Sequence, residues 1–206
     1  MAALRYVQFA GTEISTATEG PIDRAVLLAF VELINGRAVG RVADIGCGPG
    51  RVAAFMTGHG LDVVGVDVSL AMLAVARTAH PHIEFMEGRI DALPFETGAL
   101  AGAVCWYSII YTPPVQLTEA FGELRRVLEP GGYLLLAFQA GSNESVHAEH
   151  AHGTHLPLTS YRHSVEQVAS CLEATDFKIY TTVVRASQLE HETTSQGFII
   201  ASSRTP

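Results

Sequence analysis

The sequence contains few cysteines, few basic residues and no long apolar run. Cys47, Cys105 and Cys171 are odd in number and lie far apart in apolar segments, which argues against a disulfide framework and favours a reducing compartment. Lysine and arginine total 13 against 21 acidic residues, giving a formal net charge of −8, so a nucleic-acid partner is not expected. Since no run of about eighteen apolar residues and no basic-then-apolar N-terminus occurs, we expect no membrane partner and a cytoplasmic protein.

The chain has enough length and apolar content for one domain with a sizeable core. It has 206 residues, of which 48% are hydrophobic. Apolar residues at helical spacing follow Pro21 and end at Asn35-Gly36, which predicts a helix before the first strand. Apolar runs then alternate with helical patterns, which favours an α/β fold.

A glycine-rich stretch, Arg41–Arg51 (RVADIGCGPGR), organises the chain. Its apolar first half predicts a short buried strand with Asp44 near the carboxyl end. Gly46, Gly48 and Gly50 then turn the backbone into a helix. A strand that runs through such a turn into a helix N-terminus is typical of a site for the polar end of a nucleotide-like ligand.

The spacing of these glycines differs from that of dinucleotide-binding folds. The pattern is G-x-G-x-G, whereas the dinucleotide fingerprint G-x-G-x-x-G would require its third glycine at position 51. Arg51 occupies that position, where its bulk would hinder close packing of helix on strand. The spacing therefore disfavours a nicotinamide site.

An acidic residue stands at the end of the second predicted strand. The run Asp62–Val68 ends near Asp67, about twenty residues beyond the glycines, where a carboxylate can accept hydrogen bonds from both ribose hydroxyls. Ser69 is placed to cap the helix that follows. A nucleoside is therefore the expected ligand of this edge.

These motifs together resemble the class I S-adenosylmethionine-dependent methyltransferases. The signatures are D-x-G-x-G-x-G from Asp44, D-x-S-x-x-M-L from Asp67, A-L-P-F from Ala92, and the segment LRRVLEPGGYLLLAF. In that segment EPGG is expected to form the turn between a helix and the fifth strand, Tyr133–Phe138. The chain is most similar to small stand-alone bacterial enzymes of the ubiquinone- and menaquinone-methyltransferase type. The resemblance implies a doubly wound, Rossmann-like sheet of seven strands in the order 3-2-1-4-5-7-6, with strand 7 antiparallel.

The resemblance also implies one methyltransferase domain over residues 1–206, made of four parts. Residues 1–36 would form an N-terminal helical lid, 41–140 the cofactor-binding core, 141–163 an acceptor-side loop, and 164–206 a terminal helix and hairpin. Ser164 and Gln167 predict a capping box at the start of that helix. The residues expected to contact S-adenosylmethionine, or its product S-adenosylhomocysteine, are Asp44, Gly46, Cys47, Gly48, Gly50, Arg51, Asp67, Val68, Met72, Gly88, Arg89, Ile90, Asp91, Trp106 and Tyr107.

The adenine contact departs from the family pattern. The family often has an acid where this chain has Arg89, and an arginine cannot accept the proton of the adenine amino group. Two alternatives stay open. Asp91 supplies the acceptor, or the main chain around Ile90 holds the ring while Arg89 stacks over it.

The residues that would contact the methyl acceptor are less clearly marked. His152 or His155, in the polar segment after the fifth strand, could act as a base. The phenolic alternatives are Tyr107, Tyr111 and Tyr161. The histidine spacing there (His147, His150, His152, His155) lacks the flanking pattern of a zinc site, so no metal is expected.

The function expected from the sequence is transfer of a methyl group from S-adenosylmethionine to oxygen, nitrogen or carbon of a small molecule, by a monomer or homodimer. Two alternatives stay open: a protein that binds S-adenosylmethionine or S-adenosylhomocysteine without turnover, and a nicotinamide-dependent oxidoreductase.

Overall fold

The computed structural model describes residues 19–37, 40–148, 158–190 and 192–205. The helices are α1 (Pro21–Asn35), α2 (Arg51–Gly58), α3 (Leu70–Ala79), α4 (Leu117–Val127) and α5 (Val165–Ala174). The strands are β1 (Arg41–Ile45), β2 (Asp62–Asp67), β3 (Glu84–Glu87), β4 (Leu100–Trp106), β5 (Leu128–Gln139), β6 (Glu144–Ala148), β7 (Leu158–Arg162), β8 (Phe177–Arg185) and β9 (Gln196–Ser203). Short 3-10 turns at Ile109–Tyr111 and Pro114–Gln116 connect β4 to α4.

The main sheet has seven strands in the order β3-β2-β1-β4-β5-β9-β8. The first five strands in this order pair in parallel, and β9 lies antiparallel between β5 and β8. Because β6 and β7 form a separate two-stranded sheet, this order is the predicted 3-2-1-4-5-7-6 with the last two strands renumbered. The predicted fold class is confirmed.

Helices cover both faces of the sheet, as its buried central strands require. On one face α1, α2 and α3 contribute Phe30, Met56 and Leu73 to the core. On the other face α4 and α5 contribute Phe121 and Leu172. Strand β4 is buried along its whole length, so the fold presents polar groups mainly at the ends of the strands.

Three local predictions need correction. The segment 141–163, expected as a loop, contains β6 and β7, which pair with each other and not with the main sheet. The EPGG turn does not end before the fifth strand, because β5 begins at Leu128 and is irregular opposite Leu100–Gly102. The capping box is only half formed, since the Gln167 backbone N–H donates to Ser164 Oγ but the Gln167 side chain does not return a bond.

Among the described helices, none is both long and apolar enough to cross a lipid bilayer.

Candidate functional site

A cavity of about 960 Å³ opens at the carboxyl edge of the parallel strands. It lies where β1 is flanked by β2 on one side and β4 on the other, which is the point at which the strand order reverses. In open α/β sheets ligands bind at such a reversal of strand order. The site predicted from the glycine turn and this cavity coincide.

The glycine turn has the backbone conformation that only glycine adopts without strain. Gly46, Gly48 and Gly50 have φ of 73°, 53° and 85°. A Cβ atom added at Gly46 would lie 2.3 Å from Cβ of Ser108, whereas one added at Gly48 would meet nothing within 4 Å. Gly46 therefore allows close packing within the protein, and Gly48 keeps space open beside the cavity that it lines.

Asp67 holds the turn as well as facing the cavity. Its Oδ2 accepts a hydrogen bond of 2.8 Å from the Gly48 backbone N–H, and its Oδ1 accepts one of 2.8 Å from the Ser69 backbone N–H. A carboxylate oxygen can accept two hydrogen bonds, so each oxygen keeps one acceptor position for a ligand. The side chain expected to bind ribose thus also fixes the loop against which the ligand would lie.

Asp44 is a buried carboxyl group at the bottom of the cavity. It is 1% exposed, and its Oδ2 accepts a 3.0 Å hydrogen bond from the Ala53 backbone N–H. Burial raises the pKa of this carboxyl group to about 7, with a smaller contribution from the negative charge of Asp67. The Ala53 N–H and the positive charge of Arg51 oppose the rise in pKa. A ligand that carries positive charge would favour ionised Asp44.

Arg51 does not block the cavity but forms an ion pair at its wall. Its Nη1 lies 2.8 and 3.0 Å from the two carboxylate oxygens of Glu19, which is 2% exposed. Both side chains line the cavity. Together they place one negative and one positive group side by side, an arrangement suited to a zwitterionic amino-acid tail.

The loop after β3 also lines the cavity. Arg89 donates from Nε and Nη2 to the two oxygens of Asp91, at 2.8 and 2.6 Å. These hydrogen bonds lower the pKa of Asp91, which therefore remains an ionised acceptor at neutral pH. Gly88 and Ile90 also line the cavity, so both alternatives for holding an adenine ring keep their residues in place.

Aromatic side chains form the wall at the end of β4. Trp106 and Tyr107 are in edge contact, with ring centroids 5.7 Å apart, and both line the cavity. Tyr107 has φ of 56°, a strained conformation for a bulky residue. Burial, followed by the charge of Asp23, raises the pKa of the Tyr107 phenol, so this group donates hydrogen bonds more readily than it acts as a base.

Three residues from neighbouring strands form a row beside Tyr107. Gln139 of β5 pairs with Gln196 of β9, and Gln196 pairs with Arg185 of β8. Gln139 and Gln196 line the cavity. The Arg185 guanidinium is 6% exposed and lies between Asp23 of α1 and Glu192 of the β8–β9 connection. This network ties the first helix to the last hairpin.

Comparison with known proteins identifies the central part of the chain. Residues 42–132 match the methyltransferase domain family. Malonyl-[acyl-carrier protein] O-methyltransferase of Salmonella typhimurium (strain LT2) is 33% identical over 104 residues, which cover 50% of this chain and 41% of that protein. Demethylmenaquinone methyltransferase of Beutenbergia cavernae is 29% identical over 116 residues, covering 56% and 48%.

A crystal structure of a SAM-dependent methyltransferase from Methanosarcina mazei has the same fold. Its TM-score to this chain is 0.73 at 22% sequence identity, over 82% of this chain and 95% of that one. The alignments with the two curated relatives span less than half of each relative. The resemblance noted in the sequence is therefore confirmed for the fold, and residues 42–132 match the methyltransferase domain family.

The structure brings most of the residues predicted to contact a cofactor to one cavity. All of them line it except Gly50, whose added Cβ would meet Phe85 and His80 behind the turn. Cys47 lines it as a protonated thiol, because burial raises its pKa. Of the three predicted catalytic residues, Tyr107 lines the cavity, and His152 and His155 lie outside the described residues.

Several cavity residues were not predicted from the sequence. They are Glu19, Gln139, Glu192 and Gln196, together with residues of the β4–α4 connection such as Ser108 and Gln116. Of the two further phenolic alternatives, Tyr111 lines the cavity and Tyr161 does not. A signal existed for Gln139, a polar residue that directly follows the apolar run of β5 at the carboxyl edge. No local pattern marks Glu19, which reaches the cavity through its contact with Arg51.

Proposed function

We propose that this protein binds S-adenosylmethionine in the cavity at the ends of β1, β2 and β4 and transfers its methyl group to a small-molecule acceptor. The observation that carries the proposal is the combination of Asp67, with an acceptor position left on each oxygen, and the bare Gly48 that it holds. The methyltransferase domain at residues 42–132 and the names of its relatives support the same function.

The residues present fit the parts of this cofactor. Asp67 would accept hydrogen bonds from the ribose hydroxyls, and the loop Gly88–Asp91 would contact the adenine ring. The zwitterionic tail would lie against the glycine turn, with Asp44 and the Glu19–Arg51 pair as counter-charges. Val68, of which 64% is exposed, offers an apolar surface beside the ribose site.

The chemistry supplied by the bound cofactor is an activated methyl group on a sulfonium. The protein has to align the acceptor with that group and exclude water, and alignment alone can contribute several kcal/mol. Trp106 and Tyr107 provide a wall for this purpose at the end of β4. Tyr107 would hold the acceptor by hydrogen bonding, while a proton lost by the acceptor would pass to another base or to water.

The test of cofactor binding is the Asp67→Ala variant. Loss of the carboxylate removes a charged acceptor from the ribose and two hydrogen bonds from the loop, so we expect S-adenosylhomocysteine to bind about 1–3 kcal/mol more weakly, roughly 5- to 150-fold in Kd. Asp62→Ala, at the exposed opposite end of the same strand, is the matched control. Equal affinities of the two variants in titration calorimetry would contradict the assignment.

Turnover is tested separately from binding. Incubation of the protein with S-adenosylmethionine and a panel of phenols, amines and thioesters should yield a product that has gained one methyl group, detected by mass spectrometry. Binding of S-adenosylhomocysteine without any methylated product would favour a binding protein without turnover. Preference for NAD over S-adenosylhomocysteine in competition would favour the oxidoreductase. Such a result would also contradict the argument that Arg51, at the position of the third glycine, disfavours a nicotinamide site.

A further inference from the structure

The cavity as a whole is poor in available positive charge. The described lining residues include six carboxylates, Glu19, Asp44, Asp67, Asp91, Glu119 and Glu192, and two guanidiniums, Arg51 and Arg89. Both guanidiniums are paired with carboxylates, at 2.8 and 2.6 Å. A negatively charged acceptor would therefore enter a cavity in which each described cation already has an anionic partner.

Arg185 is the one cation in the row formed with Gln139 and Gln196, and its hydrogen-bonding capacity is fully used. Nε donates to Asp23 Oδ1, Nη2 donates to Asp23 Oδ2 and to Glu192, and Nη1 donates to Glu192 and to the Ala186 carbonyl oxygen. These bonds account for all five N–H groups of a guanidinium. The cluster of one guanidinium and two carboxylates has a net negative charge, and the guanidinium has no N–H group left to donate to an anion.

The two carboxamides in this row retain hydrogen-bonding groups. Gln196 is 2% exposed and donates from Nε2 to the Thr194 carbonyl oxygen, which leaves its Oε1 as an acceptor. Within the described residues, the side chain of Gln139 makes no hydrogen bond at all. The Tyr107 backbone N–H donates to the carbonyl oxygen of Ala137, two residues before Gln139 on β5, and the charges of Arg185 and Glu192 act on the Tyr107 phenol. The row thus presents neutral donors and acceptors.

We propose that Gln139 and Gln196 select an acceptor by an uncharged hydrogen-bonding group, such as a hydroxyl, carbonyl or amide, and that the cavity rejects the corresponding carboxylate. This inference rests on the proposed function. It separates the two kinds of substrate named for the relatives, because a malonyl group carries a carboxylate and a quinol does not. Pairing a buried amide with a neutral partner costs little, whereas an unpaired anion beside carboxylates is strongly disfavoured.

The test uses two probes of nearly equal shape, 4-hydroxybenzamide and 4-hydroxybenzoate, titrated into the full chain saturated with S-adenosylhomocysteine. We expect the uncharged amide to bind at least about tenfold more tightly than the carboxylate. Binding of the carboxylate as tightly as the amide, or binding of neither probe, would overturn the inference. If S-adenosylhomocysteine does not bind, the proposed function fails, and the same titration of the ligand-free chain still tests the charge preference.

A charge introduced into the row should change this preference. Gln139→Arg adds a cation with free donors and should move the ratio of the two affinities at least about tenfold toward the carboxylate. Thr182→Arg, which adds the same charge at an exposed position of β8, should leave the ratio unchanged. If Gln139→Arg does not fold, Glu192→Gln provides a second route, because it frees donors of Arg185. An unchanged ratio in a folded variant would overturn the inference.

Discussion

The raised pKa of Asp44 predicts how cofactor affinity depends on pH. In the free protein this buried carboxyl group has a pKa of about 7, so roughly half of it is protonated at neutral pH. The ammonium group of S-adenosylhomocysteine, placed beside it, would favour the ionised form and lower its pKa. Binding should therefore release a proton, about half a proton per ligand at pH 7, and the affinity should rise with pH.

The magnitude follows from the protonated fraction of Asp44. If binding requires the ionised carboxylate, the apparent Kd at pH 6 should be about tenfold higher than at pH 8, and at pH 5 about 100-fold higher, for a pKa of about 7. Titration calorimetry in buffers of different ionisation enthalpy measures both the affinity and the number of protons released. The described histidines do not line the cavity, so they should contribute little to this slope.

The variant Asp44→Asn separates this effect from other titrations. The introduced carboxamide would keep an oxygen for the Ala53 N–H but could not ionise, so we expect weaker binding that is nearly independent of pH between about 5 and 8. A wild-type affinity that is flat with pH, or a slope that persists unchanged in Asp44→Asn, would refute the argument that Asp44 is the titrating contact.

Two further predictions concern the turn and the acceptor wall. Gly48→Ala should abolish measurable S-adenosylhomocysteine binding with only a small loss in Tm, because its Cβ would project into open space at the cavity. The control is Gly60→Ala, where φ is 88° and an added Cβ also meets nothing within 4 Å. It should lower Tm similarly but leave binding unchanged. Equal binding by both variants would contradict this. His163 is fully buried, and its Nε2 lies 3.0 Å from the carbonyl oxygen of Ile109, so His163→Ala should raise the KM of the acceptor severalfold without changing cofactor Kd. A change confined to cofactor Kd would refute the second prediction.

Local sequence patterns predicted the parts of the fold that depend on neighbouring residues. The strand, glycine turn and helix around Asp44 are specified within eleven residues, and Ser69 caps α3 by accepting a hydrogen bond from the Met72 N–H. The order of the strands followed from the family resemblance alone. Asp67 was predicted as a ligand residue, but its role in fixing the Gly48 loop became visible only from the paired strands.

Contacts between distant residues were not predictable in the same way. Asp23 and Arg185 are 162 positions apart, and neither stands in a motif that indicates a partner. The pairing of β6 with β7 joins polar segments that carry no clear alternation of apolar residues, so the sequence favoured a loop. Gln139 and Gln196 come together only because β9 inserts antiparallel beside β5.

The excess of acidic residues in the cavity affects two parts of it, the part around Asp44 and the part around Arg185. Asp44, whose carboxyl group is buried and accepts a hydrogen bond from a backbone N–H but from no guanidinium within the described residues, has a pKa raised to about 7. Hydrogen bonds from Arg185 instead lower the pKa of Glu192 to about 2 and keep it ionised. A ligand that carries positive charge should therefore bind favourably beside Asp44. Around Arg185 the positive charge is already balanced by two carboxylates, so selectivity there depends on the neutral amides of Gln139 and Gln196.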